Sequence, residues 1–187
     1  RVHGIDNEAY HLVLLCENMT GYQNLCKLVS EAFTHGFYGK PRVDLALLEQ
    51  YHEGLIALSA CLAGAIPQYL MGNDYSAAKD YALKLSSIFG PGNFYLELQD
   101  HGIEEQTTVN QGVQRLARET GLPLVVTNDA HYLRKEDAAM QDVLLCVQTG
   151  KTVDDDNRMR FETEEFYLKS EEEMRQLFPN CDDAFEN

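Results

Sequence analysis

Four short apolar runs, residues 12–16, 54–59, 94–98 and 122–127, are each followed, directly or after a turn, by a stretch whose apolar side chains recur every three or four positions. Runs this short, bounded by polar residues, suit buried strands better than helices. Strands alternating with helices at this spacing imply right-handed crossovers and a parallel sheet, closed as a barrel or open and doubly wound. The predicted class is therefore α/β, with function in the loops that follow the strands.

Local signals place the helices. Thr20 is positioned to cap one whose apolar positions Tyr22, Leu25, Cys26, Val29 and Phe33 would face inward. Asp44 can cap a short helix through Leu48, and Asp74 a longer one whose stripe Ala78, Tyr81, Ala82, Leu85, Ile88 and Phe89 ends at Gly90. A further helix from about Glu104 carries Val109, Val113, Leu116 and Ala117 inward and stops at Gly121; another spans residues 136–148. Residues 166–169 read as one more strand, and Ser170 with Glu173 forms a capping box for a helix to Phe178.

The 187 residues, 44% of them hydrophobic, are enough for one substantial core, so residues 1–187 are read as a single domain. No apolar run approaches the roughly 20 residues of a membrane helix. Five cysteines, without CxxC pairs, fit a reducing cytoplasm. A net charge of −15 argues against this surface alone gripping a nucleic-acid backbone, which needs clustered Lys and Arg.

Asn128-Asp129-Ala130-His131, directly after the fourth apolar run, is the strongest chemical signal. A carboxylate and an imidazole two residues apart can reach one divalent cation if the backbone stays extended; the alternative is a turn with Asp129 capping the next helix and His131 exposed. Cys61, in the small-residue turn after the second run, is a soft metal ligand or an idle packed thiol. His11 opens the first strand, which in a parallel sheet is the wrong end for a ligand. Glu97, Gln99 and His101 follow the third run and could orient a ligand from behind, or serve the strand structurally. His3, His35 and His52 read as surface residues. No GxSxG, GxxxxGK[ST] or GxGxxG is present. Nothing favours Cys61 with His131 as a nucleophilic pair.

Several segments in collinear order resemble the PHP (polymerase and histidinol phosphatase) domain of bacterial DNA polymerase III alpha subunits. They are residues 10–15 (Tyr-His-Leu-Val-Leu-Leu), 20–25 running into 28–32, 53–62, 94–99, 121–132 and 166–170 before Glu173-Met174. The resemblance implies a partial distorted (β/α)7 barrel of the PHP type lacking its first strands, the chain forming the C-terminal two-thirds of such a domain. It implies a cluster of divalent metals, zinc or manganese, with four ligand positions mapping to His11, Cys61, Asp129 and His131. Such a cluster polarises a phosphate and lowers the pKa of a bound water. In the family the site serves 3′-5′ exonucleolytic proofreading, or is degenerate and docks a separate proofreading subunit.

The family's opening HxH pair, its further ligands and its bridging glutamate would precede Arg1; the palm aspartates that bind magnesium for nucleotidyl transfer would follow Asn187. The fragment by itself is thus expected neither to polymerise nor to proofread efficiently. The partners implied are DNA, through the longer polymerase, and replicase subunits such as a proofreading subunit or sliding clamp, with no membrane. A free-standing PHP phosphatase is the rival reading, opposed by residues 20–32 and 166–174, which look specific to the polymerase branch.

Overall fold

The structure is a computed structural model that describes residues 9–187; the reading of His3 as a surface residue falls outside them. The apolar runs become β1 (Val13–Cys16), β2 (Leu55–Leu58), β3 (Phe94–Leu98) and β4 (Leu124–Val126), in one sheet ordered β1-β2-β3-β4. β2, β3 and β4 are parallel, as the alternation with helices requires. β1 departs from the expected parallel sheet: it runs antiparallel to β2, with Val13 opposite Leu58 and Cys16 opposite Leu55.

The cause is a staple between the end of β1 and the start of β2. Glu17 N–H donates to Gly54 O (2.9 Å), and helix α1 (Met19–Thr34) sets Gly21 against the same carbonyl, so closely that a Cβ there would lie 1.8 Å from it. Asn24 Nδ2 adds a bond to Glu53 O (2.9 Å). An apolar run carries no direction in its composition, so this reversal is invisible to periodicity.

The same staple rotates α1. Its buried residues are Gly21, Asn24, Leu28 and Ala32, whereas Tyr22, Cys26, Val29 and Phe33, expected inward, are exposed and only Leu25 packs partly on the core. A glycine that permits backbone contact and an asparagine with a backbone acceptor outweigh the larger apolar side chains. The cap is Asn18 rather than Thr20, its side chain accepting from Gly21 N (3.0 Å).

Elsewhere local chemistry was legible. Asp44 caps α2 (Leu45–Tyr51) and Asp74 caps α4 (Tyr75–Phe89), each accepting from the amide three residues on. α5 (Glu104–Thr120) ends at Gly121 with φ +73°, a conformation that suits glycine. A 3₁₀ turn (Lys135–Asp137) leads into α6 (Ala138–Thr149), and Ser170 and Glu173 form the expected capping box of α7 (Glu171–Leu177). Two short helices were not anticipated, α3 (Ala65–Met71) and α8 (Asp182–Glu186). Residues 166–169 make a single bridge, Tyr132 to Tyr167, rather than a strand.

The core gathers Leu55, Ala57, Phe94, Leu96 and Leu98 from the sheet with Ala78, Ala82, Leu85 and Phe89 of α4 and Val109, Val113 and Leu116 of α5. No helix among the described residues is long and apolar enough to cross a membrane. Gly21→Ala should unfold the chain at distinctly lower denaturant concentration, costing about 1–3 kcal/mol or more by overpacking against Gly54. Tyr22→Ala, on the exposed face, should cost within about 0.5 kcal/mol. Equal losses in urea unfolding would contradict the assigned face.

Candidate metal centre

Because β1 is reversed, its start lies beside the C-terminal ends of the other three strands. His11 forms a bridge with Gly64 and donates its N–H to Ala63 O (2.9 Å), which brings its ring to the turn after β2. There Nδ1 stands 3.6 Å from Cys61 Sγ. The position that seemed wrong for a ligand in an all-parallel sheet thus lies at the end of the sheet that carries Cys61. Cys61 is partly buried, and burial first, with the charges of Asp129 and Glu97 adding, pushes its thiol above the ordinary value.

β4 delivers the second pair. Asp129, just past its end, adopts φ +43°, and its Oδ1 lies 3.6 Å from His131 Nε2. A left-handed aspartate is tolerated where the surroundings hold it. Here His131 N–H donates to Phe166 O (2.8 Å), and the His131 ring packs against Phe161 and Phe166 with centroids 4.8 and 5.5 Å away. The turn is neither a plain extended ligand pair nor an Asp129 helix cap, since the next helix begins beyond the 3₁₀ turn, although His131 is exposed as the second alternative has it.

Behind both pairs lies a buried polar layer built on β3. Glu97 is 5% exposed; one carboxylate oxygen accepts from Ala60 N–H (2.5 Å), the other from Thr127 Oγ1 (2.6 Å) and Gln99 Nε2 (3.4 Å). Burial is the first cause of a carboxyl pKa above the ordinary value; these hydrogen bonds oppose it, while the charge of Asp129 adds to it. Gln99 Nε2 also donates to Thr127 Oγ1 (3.1 Å), which fixes the amide and leaves Oε1 buried without a hydrogen bond. His101 is fully buried, its ring stacked on Phe166 (centroids 4.1 Å apart) and held between Gln106 Nε2 and Asn128 O, each at 2.8 Å. Desolvation leads in lowering its pKa.

Sequence reasoning singled out Glu97, Gln99 and His101 but missed their partners. Ser59 and Thr127 are strand-end hydroxyls, Gln106 sits in the first turn of α5, and Phe166 and Lys169 come from a segment far along the chain. Lys169 has a buried side chain whose ammonium donates to Glu165 O and stands over the Tyr167 ring at 4.3 Å, while its carbonyl accepts from Asn128 Nδ2 (3.0 Å). For Ser59 and Thr127 the one signal available was position, polar residues at the ends of apolar runs; nothing local marked Gln106, Phe166 or Lys169.

The four candidate ligands therefore reach one end of the sheet as two pairs, His11 with Cys61 and Asp129 with His131. Among the described residues no three His, Cys, Asp or Glu side chains form a group able to hold a metal ion. The pairs do not by themselves meet the minimum of a closed centre, which takes three or four protein donors.

A family model described as the PHP domain matches residues 2–101. DNA polymerase III subunit alpha of Borreliella burgdorferi is 48% identical over 96% of the chain, and that of Treponema pallidum 49% over 95%. The Thermus aquaticus subunit is 46% identical over 100% of the chain. The chain spans only 15–16% of the length of these relatives.

His101 gives a pH test. Between its ordinary value of 6.5 and its lowered folded value, the unfolded chain binds a proton there that the folded chain does not. Its contribution to stability is thus complete above that ordinary value and is lost as pH falls through the folded one. Urea unfolding of wild type should weaken across that window, and His101→Gln should flatten this part of the profile; an unchanged slope would remove His101 as its source.

Proposed function

The chain belongs to the PHP domain family, and on that premise we propose that it is the PHP module of a replicative DNA polymerase III alpha subunit. The observation that carries this reading is identity of 46–49% maintained across 95–100% of the chain to proteins of that name. The whole protein would perform DNA-templated DNA synthesis, with magnesium held in a domain other than this one. Its setting would be the cytoplasm, its partners DNA, through the whole polymerase, and replicase subunits such as a proofreading subunit or sliding clamp. The mixed α/β architecture, with one four-stranded sheet, is consistent with a single domain forming part of a distorted (β/α)7 barrel.

His11, Cys61, Asp129 and His131 are proposed as this chain's share of a divalent-metal site for zinc or manganese. Imidazole, thiolate and carboxylate are a donor set suited to such ions. Bound there, an ion would supply Lewis-acid activation of a phosphodiester and of water. Since the two pairs do not close into a centre, no hydrolytic step is derived from them. The alternative reading, a scaffold that docks a proofreading subunit, would keep the same four residues together without binding an ion.

Two measurements test these proposals. A Thermus aquaticus subunit whose matching segment is replaced by this chain should retain primer extension; a soluble, folded chimera without synthesis would overturn the polymerase reading. Cobalt(II) added to the chain should give a thiolate-to-metal absorption that Cys61→Ser abolishes and His131→Ala weakens. A spectrum indifferent to both substitutions would overturn the ligand assignment in favour of the scaffold.

A further inference from the structure

We infer that Glu97 is the positioning residue of the candidate site, a buried carboxylate whose two oxygens tie the turn presenting Cys61 to the strand end presenting Asp129 and His131. The inference rests on reading those side chains as one site.

The turn needs holding. Ala60 adopts φ +65°, a region an alanine enters only where its surroundings over-determine it, and it directly precedes Cys61. Ala60 is 4% exposed, and its N–H goes not to the backbone of the neighbouring strand but to a side chain on it, at Glu97 Oε2. The backbone of Glu97 grips the same strand end from the other side, its N–H donating to Ser59 Oγ (2.8 Å). Oε1 accepts a hydrogen bond from Thr127 Oγ1, two residues before Asp129. One side chain on the middle strand thus reaches the ends of both its neighbours.

Packing alone does not account for a carboxylate here. Among the described residues Glu97 forms no ion pair within 4 Å, and a desolvated, unpaired charge is costly wherever an amide or apolar group would fill the space. What a carboxylate supplies that neither replacement does is two acceptor oxygens, aimed in two directions, one at Ala60 N–H and the other at Thr127 Oγ1.

Substitutions separate the charge from the hydrogen bonds. Glu97→Gln removes the charge but keeps an oxygen for Ala60 N–H; Glu97→Ala removes both. Iodoacetamide alkylation of Cys61 in the 187-residue chain, followed peptide by peptide so that the other cysteines act as references, reads how firmly the turn is held. Glu97→Ala should raise the Cys61 rate about tenfold over Glu97→Gln, the scale set by losing a buried hydrogen bond. Ala60→Gly, which accepts the positive φ without strain, should recover most of that change when added to Glu97→Ala. Equal rates in the two Glu97 variants, or no recovery by Ala60→Gly, would overturn the inference.

Thr127→Val cuts the other arm, together with the bond from Gln99 Nε2 to the same hydroxyl, and serves if Glu97→Ala fails to fold. It should move the amide resonances of Asp129 and His131 while leaving that of Ala60 in place, and unmoved resonances would likewise overturn the inference. None of these readouts needs a metal, so a failed cobalt titration would sink the ligand assignment while alkylation and amide shifts still decide the role of Glu97.

Discussion

The close approach of Gly21 to Gly54 is the constraint on which the rest of the architecture turns. Two backbones meet where neither residue has a Cβ, the Glu17 amide adds a hydrogen bond to the same carbonyl, and the end of β1 is thereby tied to the start of β2. Antiparallel pairing of β1 follows, and with it the arrival of His11 at the opposite end of the sheet, beside Cys61. A side chain at either glycine would force the helix away from the strand pair and carry the register of β1 with it. One contact far from the candidate site thus sets which residues the site contains.

At that site the electrostatics are dominated by burial rather than by ion pairing. Cys61, Glu97 and His101 are each pushed toward their neutral forms chiefly by desolvation, and each also senses the charge of Asp129. The hydrogen-bonded layer beneath, from Ser59 and Ala60 through Glu97 and Gln99 to Thr127, spans three strand ends and gives the more open pairs a rigid base. A second brace comes from residues 161–169, whose Phe166 stacks on His101 and accepts from His131 while Lys169 accepts from Asn128. The chain's acidity stands apart from this layer; a net charge of −15 argues against this surface alone gripping a nucleic-acid backbone.

Much of the candidate site was legible because it obeys a positional rule. Cys61, Gln99, His101, Asp129 and His131 follow parallel strands and Glu97 is the penultimate residue of one, where side chains converge without any long-range information. His11 broke the rule, and only kinship singled it out; the rule itself holds, since an antiparallel strand presents its beginning where its neighbours present their ends. The support from Phe166 and Lys169 was not legible at all, because the pairing of residues 166–169 with the loop after β4, and of Thr163 with His101 after β3, depends on a return of the chain that no local pattern encodes. The exposed stripe on α1 was misread for a related reason: hydrophobic periodicity weighs side-chain size, and the helix is oriented by a residue with none.

What the sequence determined by itself was the four strand runs, most of the longer helices and several of their ends. The caps at Asp44, Asp74 and Ser170, the stop at Gly121 and the apolar strand runs depend on interactions within a few residues, so their energetics are present in any short window. Only the tertiary structure decided the direction of β1, the buried face of α1 and the pairing of His11 with Cys61 across 50 positions. Those outcomes are set by backbone contact and hydrogen bonds between distant segments, whose partners are specified only once the sheet has assembled.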